Sequence, residues 1–173
     1  MAEITKMWIA EKMRELMKQK SIDKIRITEI CKAADIERPT FYYHFKDKYE
    51  LVAWMFCKDA YGTDLTSVSS AAAGMNKMKQ EILFYKRAYE DSSQNALWRY
   101  MLEYFVQRYT ELAKEKLGVD LINAQLAYSI RFYCMGCVGM TQEWVLNDNI
   151  TSAETVAQMM FQSMPENMRR ILF

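Results

Sequence analysis

The apolar positions of this chain recur every three or four residues rather than every second one, so the sequence predicts helices nearly throughout. Ile4, Met7, Trp8, Met13, Leu16 and Met17 form a first stripe, with Lys6, Lys12, Arg14 and Lys18 toward another side, which predicts an amphipathic helix over residues 4–19. A polar connection follows at residues 20–24. Apolar residues at 27, 30, 31, 33 and 34 then predict a short second helix over 27–34. Asp35 occupies a tight-turn position where Gly is common, a role Asp can fill because it tolerates the left-handed region. Pro39, with its fixed φ and no N–H to satisfy, predicts a helix of barely two turns that starts at Arg38. Asp47 and Glu50 have capping-box spacing, so a fourth helix begins there and runs toward Tyr61.

Beyond a Ser- and Thr-rich stretch at residues 63–70, the spacing predicts a helix around Ala72 to Tyr89, broken near Tyr85, and a polar joint from Asp91 to Asn95. Leu97, Met101, Phe105, Tyr109 and Leu112 predict a long helix over 96–116 that Gly118 terminates. Asp120 is placed to cap a helix from Leu121 to about Asn147. Thr151 and Glu154 form another capping-box pattern ahead of a last helix carrying Val156, Met159, Met160 and Met164, which Pro165 bends or ends. The expectation is an all-α chain of about nine helices, divided into a head over residues 1–50 and a helical body over residues 51–173.

Composition agrees with this reading, since the 173 residues include only five Gly and two Pro but fourteen Met. A net charge of +1 is too small to bind a polyanion by bulk attraction, so any nucleic-acid reading must rest on local placement. The balance is +2 over residues 1–60 and −1 over the remainder. Four cysteines fit reduced thiols better than a disulfide framework, and no apolar run approaches the roughly 20 residues that span a bilayer. With no charged and apolar leader ahead of the first helix, a cytoplasmic protein is expected. Cys134 and Cys137 have redox or zinc spacing, but zinc takes four ligands and the only histidine, His44, lies in the head. Small apolar residues on a packed helix are the simpler reading. No Gly-rich phosphate loop or Ser–His arrangement is visible, so neither an enzyme nor a metal or other cofactor is expected.

The densest chemistry lies in the run from Asp35 to Leu51, DIERPTFYYHFKDKYEL. Arg38 and Thr40 bring hydrogen-bonding groups, while Tyr42, His44, Lys46 and Lys48 form a polar and basic cluster suited to a phosphate backbone. The longer segment ITEICKAADIERPTFYYHFKDKYEL resembles the helix-turn-helix signature of the TetR family of transcriptional regulators, over roughly residues 5–55. The resemblance implies that Arg38, Pro39 and Thr40 meet base edges or methyl groups, and that Tyr42, His44 and Lys48 meet phosphate. Thr28 falls at a second-helix position that touches backbone or base, and Phe41 and Phe45 are packing residues. Two departures stand out, Asp35 for Gly and Glu37 for Ser. The Glu37 carboxylate is repelled by phosphates unless it caps the recognition helix or accepts from a cytosine amino group.

The same resemblance implies a symmetric homodimer built from the last two long helices and set on a near-palindromic double-stranded DNA site. Gly136 and Gly139 allow close helix approach, with Tyr133, Met140, Trp144, Met159 and Met160 as apolar interface candidates. Among the body's aromatics, Tyr85, Tyr89, Trp98, Phe105 and Tyr133 are candidates to line an inducer cavity, and Arg99, Gln107, Arg131 and Gln142 are candidate polar groups. RPTFYYHFKDKYEL and FYCMGCVGMTQEWVLNDNITSAE are also similar to the branch that includes dihydroxyacetone-kinase regulators. The expected function is a dimeric DNA-binding regulator, acting as a repressor and controlled by a small ligand or partner bound to the body. The alternative is a protein-interaction module of the same shape that binds DNA weakly, which Glu37 and the near-zero net charge motivate.

Overall fold

A computed structural model describes residues 2–60, 62–90, 96–147 and 150–173. These residues form ten α-helices and one short 3-10 helix, with no strand among them. The joint expected over Asp91 to Asn95 and the helix end expected at Tyr61 lie outside the described residues.

The head opens with α1 (Ala2–Met17), a 3-10 turn (Ile22–Lys24), α2 (Ile27–Ala34) and α3 (Arg38–His44). The limits of α2 and α3 are those the apolar spacing and Pro39 predict. Helix α4 (Lys48–Ala60) begins at the expected cap, where the Asp47 carboxylate accepts from the N–H groups of Tyr49 at 2.9 Å and Glu50 at 2.8 Å. Glu50 reaches back to the N–H of Lys46, one residue beyond the usual box, at 2.6 Å. The border expected at residue 50 therefore falls in the first turn of α4.

In the body, α5 (Val68–Gln80) and α6 (Ile82–Tyr89) replace the single helix expected from residue 72, and the break sits at Glu81, not near Tyr85. Glu81 has φ −105 and ψ 34, outside the helical well, a backbone event that no sequence signal marks. The long helix α7 (Leu97–Leu117) ends as expected on a left-handed Gly118, with the Val119 N–H returning to the Lys114 carbonyl at 3.1 Å. Helix α8 (Ala124–Asn147) starts later than expected, because Asn123 rather than Asp120 caps it, accepting from the Leu126 N–H at 2.8 Å.

Helix α9 (Ala153–Gln162) is capped by Ser152 instead of Thr151, and Glu154 is drawn away to Asn76 of α5 at 2.9 Å. A tenth helix that the spacing did not predict, α10 (Glu166–Leu172), follows Pro165. Arg169 of α10 donates to the last carbonyls of α9, at Phe161 and Gln162, where a cation suits the helix end.

Two packed cores result. One runs without interruption from Ile9, Met13 and Phe41 in the head through Leu51 and Met55 of α4 to Tyr85, Met101, Val145 and Ala157 in the body. The other joins Leu102, Tyr109 and Ala113 of α7 with Ile130 and Tyr133 of α8 and Met168 and Leu172 of α10. Helix α4 thus belongs to the head by its start and to the body by its end, and no helix is long and apolar enough to cross a membrane among the described residues.

Candidate nucleic-acid interface

The turn between α2 and α3 is set by a single backbone conformation. Asp35 adopts φ 52 and ψ 50, and it is the only residue other than glycine with positive φ among those described. That conformation lets the Ile36 N–H return to the Cys31 carbonyl at 3.0 Å, so the end of α2 is closed and the chain leaves at a fixed angle. The Trp8 indole donates to the Ala34 carbonyl at 2.9 Å and fastens the same helix end to α1. Phe41 and Phe45 then bury fully beneath α3, with Phe45 edge-on to Trp54 of α4 at 5.7 Å between centroids. These contacts hold α3 as a short rigid rod, its outer side in solvent.

Arg38, Pro39, Tyr42 and Tyr43 are exposed along that outer side, while Thr40 and His44 are half-buried. The Arg38 guanidinium leans one turn along the helix to the Tyr42 hydroxyl at 3.4 Å, with its centre 5.8 Å from the ring. Thr28 is exposed on the first turn of α2. Glu37 is the N-cap of α3, but its carboxylate makes no capping bond, so that role does not account for it. Lys48 points inward to the 3-10 turn and donates to the carbonyls of Asp23 at 2.9 Å and Ile25 at 2.8 Å. Its ammonium pins α4 to the start of the helix-turn-helix.

Tyr43 escaped the sequence reading. It is 80% exposed, beside His44 with ring centroids 4.9 Å apart, and Pro39 one turn back continues the same ridge. No role falls to it in the resemblance, and only the helical phase of α3, fixed by Phe41 and Phe45, shows that it faces outward.

The body holds a cavity of about 130 Å³ at the seam between the two cores. Of the five aromatics expected to line one, Tyr85, Phe105 and Tyr133 do so. Tyr89 does not, since it is buried with its hydroxyl on the Met101 sulfur at 3.1 Å, nor does Trp98, which is covered by the Arg99 guanidinium at 4.8 Å. None of the four polar candidates lines it. Arg131 instead pairs with Glu103 at 2.7 Å, and Gln107 with Glu111 at 2.8 Å.

The cavity wall is mostly apolar, from Phe56, Met75, Met101 and Val138 among others, with Asp59, Asp64, Lys77, Thr63, Thr141 and Tyr85 among its polar residues. Burial pushes the phenol of Tyr85 well above its usual range, and the nearby Asp59 carboxylate pushes it further. Cys134 and Cys137 also face this space as free thiols. Burial raises both, Cys137 to about 11, so they are protonated at neutral pH and poor nucleophiles.

Helix α8 turns a second apolar side outward. Tyr128 and Phe132, stacked at 6.3 Å, are exposed together with Met135 and Met140 at helical spacing. Gly136 and Gly139 share that side, and a side-chain carbon built on either would touch nothing within 4 Å. Of the expected interface residues, Gly136, Met140 and Met159 face solvent, Met160 is half-buried and lines the cavity, and Tyr133 and Trp144 turn inward. The Trp144 indole donates to the Thr151 carbonyl at 2.9 Å, holding the α8–α9 connection.

Comparison with known proteins places both parts. Residues 9–55 match the family model described as bacterial regulatory proteins, tetR family, and residues 72–166 match the model described as transcriptional regulator C-terminal region. A 56-residue stretch is 36% identical to the HTH-type dhaKLM operon transcriptional activator DhaS of Lactococcus lactis subsp. lactis (strain IL1403), covering 32% of this chain and 30% of that protein. The solved structure of a dihydroxyacetone kinase operon activator DhaS superimposes with a TM-score of 0.65 at 18% identity, over 97% of this chain and 98% of the other, which establishes a common fold. With its helix-turn-helix head and its helical body both matched, the chain belongs to the TetR family of transcriptional regulators, proteins that bind DNA.

Proposed function

We propose that the chain acts as a homodimer on a near-palindromic operator, with one α3 in each of two successive major grooves about one DNA turn apart. The exposed ridge of Arg38, Pro39, Tyr42 and Tyr43, held out by the Asp35 turn, is the observation that carries this reading. Arg38 and Thr40 are the base-reading groups, Thr28, Tyr42 and His44 reach backbone, and Lys48 acts through its hold on the 3-10 turn as well as by charge. Dimerisation uses the outer side of α8 with Met159 of α9. A glycine inside a helix costs about 1 kcal/mol relative to alanine, and Gly136 and Gly139 meet nothing within their own chain that offsets it, whereas a partner helix at close range would.

Control is assigned to a small molecule in the body cavity. The resemblance suggests repression; the relatives, both titled operon activators, favour activation, and a promoter fused to a reporter, with and without the gene, separates the two. Selection from random DNA should yield a palindrome. Arg38→Ala should then lose about 1–3 kcal/mol of affinity and relax its sequence preference. Equal binding by wild type and Arg38→Ala, or no enriched sequence at all, overturns the DNA-reading assignment and leaves a protein-interaction role.

A further inference from the structure

The cavity and the head share one carboxylate. Asp59, near the end of α4, lines the cavity and also accepts from Arg14 of α1 at 2.6 Å and from Lys77 of α5 at 2.9 Å. Arg14 pairs in addition with Glu81, at the break between α5 and α6, and stacks over the Phe84 ring at 4.8 Å. A single guanidinium therefore ties the first helix of the head to the end of α4 and to the start of α6. Beside this knot stands Tyr85, 2% exposed, on the cavity wall, with a hydroxyl that makes no hydrogen bond to any described residue. A hydroxyl on the cavity wall that bonds to no described side chain is open to a ligand, and a ligand that pairs with it gains both affinity and orientation.

From this geometry we infer that the cavity takes a neutral, compact, mostly apolar molecule bearing one hydroxyl, which bonds to Tyr85 and Asp59 and thereby loosens Arg14 from the body. The two cations of the knot, Arg14 and Lys77, are already paired with Asp59 and Glu81, and Asp64 also lines the wall, so an anionic ligand would meet no spare cation there. The size follows from the volume: an apolar cavity of about 150 Å³ accepts benzene, so about 130 Å³ suits a single small ring or a short branched chain. The consequence for DNA is a penalty. A head held by fewer bonds to its own body must be ordered again when it docks, so the liganded protein binds its site more weakly.

This inference rests on the ligand-control reading, and the test separates the two. The full chain is titrated calorimetrically with 4-methylphenol and with toluene, which differ by the hydroxyl alone, and its affinity for the selected palindrome is measured with and without 4-methylphenol. Wild type should bind the phenol about tenfold more tightly than toluene, and Tyr85→Phe should erase most of that difference. The phenol should weaken DNA binding at least threefold in wild type. In Arg14→Gln, whose changed side chain is not part of the cavity wall, the phenol should still bind, while DNA affinity should start lower and no longer respond. Asp59→Asn, read by the same DNA assay, repeats the test from the other side of the pair should Arg14→Gln fold poorly. If neither probe binds wild type at millimolar concentration, the ligand-control reading falls and takes this inference with it. Equal binding of both probes to wild type and Tyr85→Phe keeps a ligand site but overturns the hydroxyl preference. An undiminished DNA response in both Arg14→Gln and Asp59→Asn overturns the latch.

Discussion

Phe41, Phe45 and Leu51 in the head are all but fully buried, whereas the body leaves Tyr128, Phe132, Met135 and Met140 in solvent and keeps a cavity against the inner side of the same helix. A filled core fixes one geometry, and in the head that geometry presents α3. A hollow core with an apolar outer face leaves part of the geometry to be set by whatever occupies it. Yet the two regions share one continuous core through α4, so stability is not divided as function is.

The largest effect tests that sharing. Phe41→Ala should cost about 3–5 kcal/mol, and urea denaturation followed by tryptophan fluorescence and by circular dichroism should still give one coincident transition. Two separated transitions would show that the head folds independently and that α4 does not join the cores. Next, Phe132→Glu should weaken self-association by about 100-fold, or about 3 kcal/mol, in sedimentation equilibrium, because a carboxylate would be placed in the bare strip of α8 against its own symmetry mate. An unchanged dimer would move the interface elsewhere on the body.

The cavity wall makes a chemical prediction. With Cys137 raised to about 11, its thiolate fraction at neutral pH is about 100-fold below that of an ordinary cysteine, and iodoacetamide should label it correspondingly slowly in the native protein. The linked stability runs in one direction. Below about pH 8 the thiol is largely protonated in both states; as pH rises from there toward 11 the unfolded chain ionises first, and the native state loses stability. Fast labelling at pH 7 would mean that the wall opens readily. The smallest effect belongs to the turn: Asp35→Ala should destabilise by about 1–2 kcal/mol, since alanine tolerates φ 52 less well than aspartate, while Asp35→Gly should be nearly neutral in thermal melts.

The head was legible because its signals are local. Pro39 and Asp47 each fix a helix start within one residue, Asp35 marks the turn, and Phe41 and Phe45 set the phase of α3. The body was less legible for a physical reason. Helix α8 is apolar on two sides, so spacing alone could not say that Tyr133 and Trp144 face its own core while Tyr128 and Phe132 face out. The cap of α8 at Asn123 and the cap of α9 at Ser152 lay one to three residues from equally good capping residues. The break at Glu81 has no residue signature, and the pairing of Asp59 with Arg14, 45 positions apart, is created only by the fold.

The unbroken passage of α4 between head and body also bears on protein engineering. A hybrid sensor that exchanges heads between relatives is commonly joined where the recognition module ends, yet here a seam at residue 50 would cut through the first turn of a thirteen-residue helix. A join beyond Ala60 would preserve that helix but part Arg14 from its anchor on α6. A working chimera of this chain would have to carry across the whole of α4 together with a matched pair of residues at positions 14 and 81, so the unit of exchange is larger than the unit that reads DNA.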